Sequence, residues 1–471
     1  MLWLPLSLSA DPVGEFLPQQ VGVVLEYYEV EAAALPEMLR AYQSEIDGTP
    51  LRERVEAMAE KGEARLVDSA YLVSRSGQRA KIASVREWIY PIEWDPPEVP
   101  QKLSGPIDRD VNVVKPATPT AFETENVGNT FEVDAVIGRN PEIVDLNLQP
   151  KLVSLRGSSR IGRGDAKMIE PTFETMMTPN AITLKAGRSE LVGVYSAPTG
   201  AVERAQKGVL AIATAKVLSA ATKADYEAWL KSPRANVGEV IEEDPFIEGT
   251  NGARKPASVQ VSLVAEFVEV DAALAGKIAH QISGAADATA IRRRLDGAIR
   301  EGKAAVLATG QVLARSGIRA KVEAVRQRIY GVEFDPPNGP IELHGPIDPR
   351  AKISSSVSST ALESRNEGIT VEVDNVVQSG GKFIDLNLKS ESVAYIREIA
   401  CGSGPSQSTH PLFETLRIET SATIADGTTM LVGMHSLETA RAGEAATEEE
   451  RKAVRGRRVL VFVSAKVKAV E

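Results

Sequence analysis

A chain of 471 residues that is 43% hydrophobic and 25% charged has the composition of a folded globular protein and the length for two or three domains, which excludes a disordered chain. A formal charge of −10 excludes the clustered Lys and Arg surface that nucleic-acid phosphates require. One cysteine, Cys401, excludes an intrachain disulfide, and the lack of any run of about 18 apolar residues excludes a helical membrane span but leaves β-type membrane contact open.

Residues 1–12 hold a short apolar run that ends in Ser7, Ser9 and Ala10 before Asp11 and Pro12. This reads as the remnant of a secretory signal without its basic segment, or as an N-terminal arm, and makes export the expectation. A β-branched and aromatic run at 21–30 reads as a strand. Helical segments follow, the clearer one with Thr49 as N-cap, Pro50 at the first helical position, and Leu51, Val55 and Met58 as a core-facing stripe before Gly62. Residues 66–74 and 79–90 read as two strands joined by a turn at Ser76-Gly77, which completes a β-α-α-β-β part. Residues 131–134 and 144–149 alternate apolar with polar, so one face of each strand is expected to be buried and the other wet. Residues 181–185 and 190–195 flank Ala186-Gly187-Arg188 and read as a closing hairpin.

The whole pattern then returns. Glu26, Glu29 and Val30 recur as Glu266, Glu269 and Val270, an offset of 240. The same offset relates Ser76-Gly77 to Ser316-Gly317, Gly105-Pro106-Ile107-Asp108 to Gly345-Pro346-Ile347-Asp348, Asp145-Leu146-Asn147-Leu148 to Asp385-Leu386-Asn387-Leu388, and Phe173-Glu174-Thr175 to Phe413-Glu414-Thr415. Thr289 with Ile291, Leu295 and Ile299 repeats the capped helix, and Asp426-Gly427 repeats the hairpin turn with stronger turn chemistry. Near the end the offset becomes 250, where Ala215-Lys216-Val217 meets Ala465-Lys466-Val467, and the extra residues fall in the charged run Glu448-Glu449-Glu450-Arg451-Lys452. The expected organisation is an N-terminal arm at 1–12, a first repeat at 13–220, a linker at 221–258 marked by Pro233, Pro245, Pro256 and Glu242-Glu243-Asp244, and a second repeat at 259–471. The fold class is α+β and β-rich, each module a small βααββ part followed by antiparallel amphipathic strands and the closing hairpin.

Four motifs, in the same order in both halves, carry a family resemblance. They are the opening strand, Phe122-Glu123-Thr124-Glu125-Asn126-Val127-Gly128 with Phe131-Glu132-Val133, residues 143–150, and the closing residues 187–194; the second half offers residues 362–373, 384–388 and 426–433. In this the chain resembles the core domain of the bacterial secretins of type II and type III secretion and type IV pili, present as two tandem copies. It departs from the family pattern where Val194 and Met434 replace the second glycine of the closing motif and Ala186 replaces its aspartate. The resemblance implies an exported, non-catalytic component of a cell-envelope assembly in the periplasm or outer membrane, a channel or collar acting by oligomerisation. Its partners would be copies of itself and other envelope or secretion proteins. The alternative is a soluble or peripheral periplasmic scaffold that keeps the fold without a pore, which the departures favour.

Chemistry-bearing residues are sparse. His280, His344, His410 and His435 have no metal-ligand spacing with Cys401 or with one another, and none has a counterpart 240 residues away. Gly162-Arg163-Gly164 and Gly402-Ser403-Gly404 follow no strand in the manner of a phosphate loop and read as turns. Glu26, Glu29, Asp145 and Glu174 invite a paired-acid hydrolase, but Asp145 and Asn147 stand on the wet face of an alternating strand, where polar residues need no catalytic reason. Arg156, Arg160 and Arg163 form a basic loop in the first copy, solvated or aimed at an acidic partner. No catalytic, cofactor-binding or metal-binding residue is assigned, and no cofactor.

Overall fold

The computed structural model describes residues 18–98, 102–104, 115–161, 167–196, 207–221, 259–282, 284–337, 342–344, 356–378, 381–437, 440–441 and 456–469. The segment 1–12, the linker beyond Ala221 and the charged run 448–452 lie outside these residues. The fold is α+β and dominated by antiparallel strands. The first half runs β1 (Gln19–Glu31), α1 (Leu35–Tyr42), α2 (Thr49–Glu60), β2 (Ala64–Arg75) and β3 (Gln78–Asp95), the β-α-α-β-β order. It continues through β4 (Lys102–Ser104), β5 (Thr118–Ile137), β6 (Ile143–Ile161), β7 (Met168–Met177), β8 (Asn180–Lys185), β9 (Ser189–Ser196) and β10 (Lys207–Ser219). The second half runs β11 (Val259–Asp271), α3 (Ala272–Gln281), β12 (Gly284–Ala285), α4 (Thr289–Arg300), β13 (Ala305–Arg315) and β14 (Ala320–Asp335). After these come β15 (Glu342–His344), β16 (Ser358–Val377), β17 (Phe383–Cys401), β18 (Ser408–Ala425), β19 (Thr429–Ser436) and β20 (Arg457–Ala469).

Alternation decides which face each strand buries. Val21, Val23, Leu25 and Tyr27 of β1 point into the main core, where they meet Phe131, Val133 and Ala135 of β5 and Val144, Leu146 and Leu148 of β6. Each Val, Leu or Phe among these contributes roughly 1.5–3 kcal/mol. The opposite face of β1, with Tyr28 and Val30, is covered by Leu35 and Met38 of α1 and Leu51 and Val55 of α2. Helices, first sheet and second sheet therefore form layers, and the core lies between the sheets.

The first sheet has the order β12-β10-β1-β2-β19-β20-β11-β13, with β9 also on β10; the second has β14-β16-β17-β18-β3-β5-β6-β7, with β8 also on β6. Both sheets pass without a break from strands of the first half to strands of the second. The expected closing hairpin is instead a corner between layers: β8 pairs with β6 in one sheet, and β9 pairs with β10 in the other. Leu184 of β8 and Val192 of β9 face the same core from opposite sides, so their strands cannot share a ladder. Gly187, at φ +82°, donates its N–H to Ala215 O on β10, and Gly427 at φ +74° does the same to Ala465 O. The turn at Ser76-Gly77 is likewise a corner, since β2 and β3 lie in different sheets.

Thr49 and Thr289 are not the N-caps. Asp47 and Asp287 accept the N–H of these threonines, and the threonine hydroxyls accept the N–H of Ser189 and Thr429, tying each helix start to the corner that follows β8 or β18. Gly128 in β5 has φ +136°, and a Cβ there would stand 2.1 Å from Ser84 O. Gly128→Ala is expected to lower stability by about 2 kcal/mol, against about 1 kcal/mol for Gly157→Ala, which shares the backbone conformation but has open space for a methyl group. Urea midpoints of the two variants check this; equal losses would mean that β3 shifts to admit the methyl.

Candidate functional site

The carboxylates that invite a paired-acid reading are held apart. Glu26 accepts two bonds from Arg52 of α2, at 2.6 and 3.1 Å, and one from the Tyr28 hydroxyl at 3.1 Å. Glu266 is held by Arg292 in the same way, at 2.9 and 2.6 Å, so this pair fastens a helix to the first sheet in both halves. Glu29 pairs with Arg65 at 3.3 Å, Asp145 accepts the Thr183 hydroxyl at 2.5 Å, and Glu174 pairs with Arg156. Arg160 is exposed at the end of β6, while Arg163 and Gly162-Arg163-Gly164 lie outside the described residues. Gly402-Ser403-Gly404 leads into a single 3-10 turn at 404–406 rather than a phosphate-binding helix.

His410 and His435 are buried core residues. His410 packs against Phe122 with ring centroids 3.9 Å apart and the rings tilted by 40°, and its Nε2 is 3.0 Å from the Ser408 hydroxyl. Burial pushes it down to about 4 against an opposing hydrogen bond with the Gly331 backbone. His435 stacks on Phe267, has no hydrogen-bond partner for either ring nitrogen among the described residues, and is pushed by burial down to about 3. His344 is in β15 and His280 in α3. Cys401, half-buried at the end of β17, is pushed up by burial to about 11 and so stays a thiol. No group of three or more His, Cys, Asp or Glu that could hold a metal occurs among the described residues, and no helix there is long and apolar enough to cross a membrane.

What the fold does concentrate is polar contact where the two halves join. Lys81–Glu87 of β3 runs antiparallel to Phe413–Glu419 of β18, and Tyr71 and Leu72 of β2 pair with Met434 and Gly433 of β19. At Gly433 the chains approach closely: a Cβ would stand 2.5 Å from the Ile418 Cδ1 and 3.1 Å from the Ile82 Cδ1, so both isoleucine tips would have to shift. Buried Gln20 donates to Thr423 O and accepts Thr423 N–H, both at 3.2 Å. Arg75 reaches Asn387 at 3.0 Å and Asp385 at 3.5 Å. The Ser84 hydroxyl donates to Ser436 O, and the Thr420 hydroxyl to Val73 O.

Two ion clusters complete the joint. Glu414 lies between Arg86 at 3.2 Å and Arg441 at 2.7 and 2.5 Å. Burial raises its pKa, but the hydrogen bond and charge of Arg441, with Arg86, outweigh this and hold the carboxyl below its ordinary value. Arg365 bridges Glu87 at 2.6 Å and Glu391 at 2.7 Å, the Thr415 hydroxyl donates to Glu87 at 2.7 Å, and Arg417 reaches Glu391 at 2.9 Å. Glu391 is also held low: burial opposes its charge, and Arg365 and Arg417 prevail.

The outer edges are the second feature. At one end of the sheets β13 and β14 carry exposed Leu313 and Val325; at the other, β9 and β7 carry exposed Val194 and Met177. β14 meets β5 of its own chain at Glu333 opposite Ala121, so its unpaired edge is the stretch before that point.

No family model matches the chain, and no curated protein matches it. The solved structures similar to it include Aeromonas hydrophila ExeD, at 12% identity over 46% of this chain and 51% of that one, with a TM-score of 0.23. The type II secretion system secretin GspD of E. coli K12 matches at 11% identity over 50% and 57%, with a TM-score of 0.20. The Salmonella type III secretion injectisome secretin InvG matches at 12% identity over 69% and 88%, with a TM-score of 0.23. The chain thus spans about half the length of the first two solved chains. TM-scores this low carry no functional argument, and what the chain does is read from its own joint and edges.

Composition and motif spacing missed that joint. The available signal was polar identity kept at the offset on a wet face, as where Arg75 recurs as Arg315 and Glu174 as Glu414.

Proposed function

We propose that the chain is a non-catalytic, secretin-like component of a bacterial cell-envelope assembly, a channel or collar for secreted protein or pilus, that acts by self-association. The observation that carries this is the pair of continuous sheets, whose end strands, among the described residues, leave an outer edge wholly or largely without a ladder partner and expose apolar side chains at both ends. Such edges are templates for pairing with another chain, and closing a sheet on itself removes them. The ordered secretin-like motifs in both halves support the family, and an exported location in the periplasm or outer membrane goes with it. A second reading, a periplasmic scaffold that keeps the fold without a pore, is favoured by the charged Lys321, Glu323 and Arg326 along exposed β14.

Native mass in mild detergent, by light scattering coupled to size exclusion with negative-stain images of the same peak, tests the proposal. A large ring that resists dissociation is expected. A monomer or dimer that needs no detergent would sink the channel and leave the scaffold.

A further inference from the structure

We infer that each open edge is completed by the opposite edge of a second copy of this chain, in the register the two halves already use with each other, so that chains add head to tail. This rests on the self-association proposed above and names its partner and contact. Residues 240 apart occupy the same ladder positions: Gln20 opposite Arg75 matches Gln260 opposite Arg315, and Gly128 opposite Val85 matches Gly368 opposite Val325. The internal joint consumes β2 and β3 of the first half and β19 and β18 of the second. The strands that keep an open edge among the described residues, β13 with β14 and β9 with β7 and β8, are the counterparts of those four. A contact of this kind joins different patches, and it propagates until it closes.

Burial follows the same correspondence. Val73, Val85 and Met434, inside the joint, are 0%, 4% and 5% exposed; their counterparts Leu313, Val325 and Val194 on the open edges are 53%, 38% and 38% exposed. Beside Gly128 the joint is filled by Ala440, 3.1 Å from where a Cβ would stand. Beside its counterpart Gly368 lies an open groove of about 650 Å³ lined by Ala324, Val325, Arg326, Glu367 and Val393.

The polar partners are also in place. Gln20 with Thr423 recurs as Gln260 with Thr183, Arg75 with Asp385 and Asn387 as Arg315 with Asp145 and Asn147, and Arg86 with Glu414 as Arg326 with Glu174, which Arg156 of its own chain already holds as Arg441 holds Glu414. Arg315 and Asp145 are exposed, and Arg315 makes no ion pair among the described residues. Where a contact is not kept, it changes coherently. Glu87, Arg365 and Glu391 become Gln327, Glu125 and Lys151; Glu125 and Lys151 pair with each other at 3.2 Å, and the neutral Gln327 adds no unpaired charge. Pro179, which cannot donate to a ladder, stands where Glu419 ends the internal one. The two joints thus share a backbone geometry and differ in charge set, so they alternate around the assembly and the number of repeat units is even.

In the full chain, Arg315→Glu and Asp145→Arg should each weaken assembly by about tenfold or more, because each places like charges across the joint. Mixing the two variants one to one should restore it, since both joints of an alternating ring then regain opposite charges. Independently, Val194→Cys with Gln311→Cys in a Cys401→Ser background should give an oxidative ladder at multiples of the chain mass, because positions 194 and 311 take the places of Met434 and Tyr71. If wild type assembles but mixing rescues nothing and no ladder forms, the edge assignment falls while self-association stands. A wild-type chain that is monomeric at every concentration overturns both.

Discussion

Glu414→Gln is expected to lower the free energy of unfolding by about 3–5 kcal/mol, the usual result of removing one partner from a buried ion pair. Glutamine keeps the volume, so no cavity contributes. What is lost is the charge shared by Arg86 of the first half and Arg441 of the second, which leaves Arg441 with the longer 3.5 Å pair to Glu269. The loss falls on the joint itself, because Glu414 lies on β18 and Arg86 on β3, directly opposite in the ladder. A triple variant, Glu414→Leu with Arg86→Met and Arg441→Met, is expected to recover most of the stability, since apolar replacement of buried charges is often neutral and Glu269, the other carboxylate on Arg441, is partly exposed. Urea unfolding of the single and triple variants measures both effects. A loss below about 1 kcal/mol for Glu414→Gln would show a cluster solvated like a surface pair. The pKa of Glu414 is depressed in the folded chain, so its contribution is present above the ordinary carboxylate range and is lost as pH falls through the folded value.

Shifting from pH 8 to pH 5 is expected to remove about 4 kcal/mol of stability through His410 and His435, about 2 kcal/mol each. Both are held neutral by burial, at about 4 and about 3 against an ordinary 6.5. As pH falls through 6.5 the unfolded chain takes up protons that the folded chain refuses, so stability falls with pH until the folded values are reached. Glu391 and Glu414, held below their ordinary value, stay ionised in the folded chain between pH 6.5 and 5, where unfolded carboxylates have only begun to protonate, so the histidines carry most of the change. His435→Phe keeps a ring on Phe267 and should abolish about half of the slope; His410→Phe, among Phe122 and Phe334, should abolish the rest. Stability measured by urea at both pH values decides it, and a wild-type protein equally stable at pH 8 and pH 5 would rule out two buried neutral imidazoles.

Local elements were legible because periodicity and burial share one cause. Val144, Leu146 and Leu148 alternate with Asp145, Asn147 and Gln149, and the structure buries the first three and exposes the others. Leu51 and Val55 form a helical stripe and pack under β1. Placing Asp145 on a wet face was correct for one chain, yet wetness alone does not tell a solvated residue from one at the edge of a joint. Glu414 illustrates the opposite failure. Beside Phe413 on an alternating strand it reads as solvated, and it is buried because β3 and Arg441 are laid against it.

The strands, the helices and the repetition at 240 residues can be read along the chain, because each follows from side chains a few positions apart or from identity kept at a fixed offset. Sheet membership cannot, and came from the three-dimensional packing. Ala186-Gly187-Arg188 and Asp426-Gly427 carry the backbone freedom of a turn, but a turn reverses a chain equally well within a sheet or between two. The choice was made by ladder partners far away, β10 for β9 and β6 for β8. The packing also decided that the halves share two sheets, since the bonds between residues 81–87 and 413–419 depend on backbone groups that every residue carries and leave no pattern in the chain.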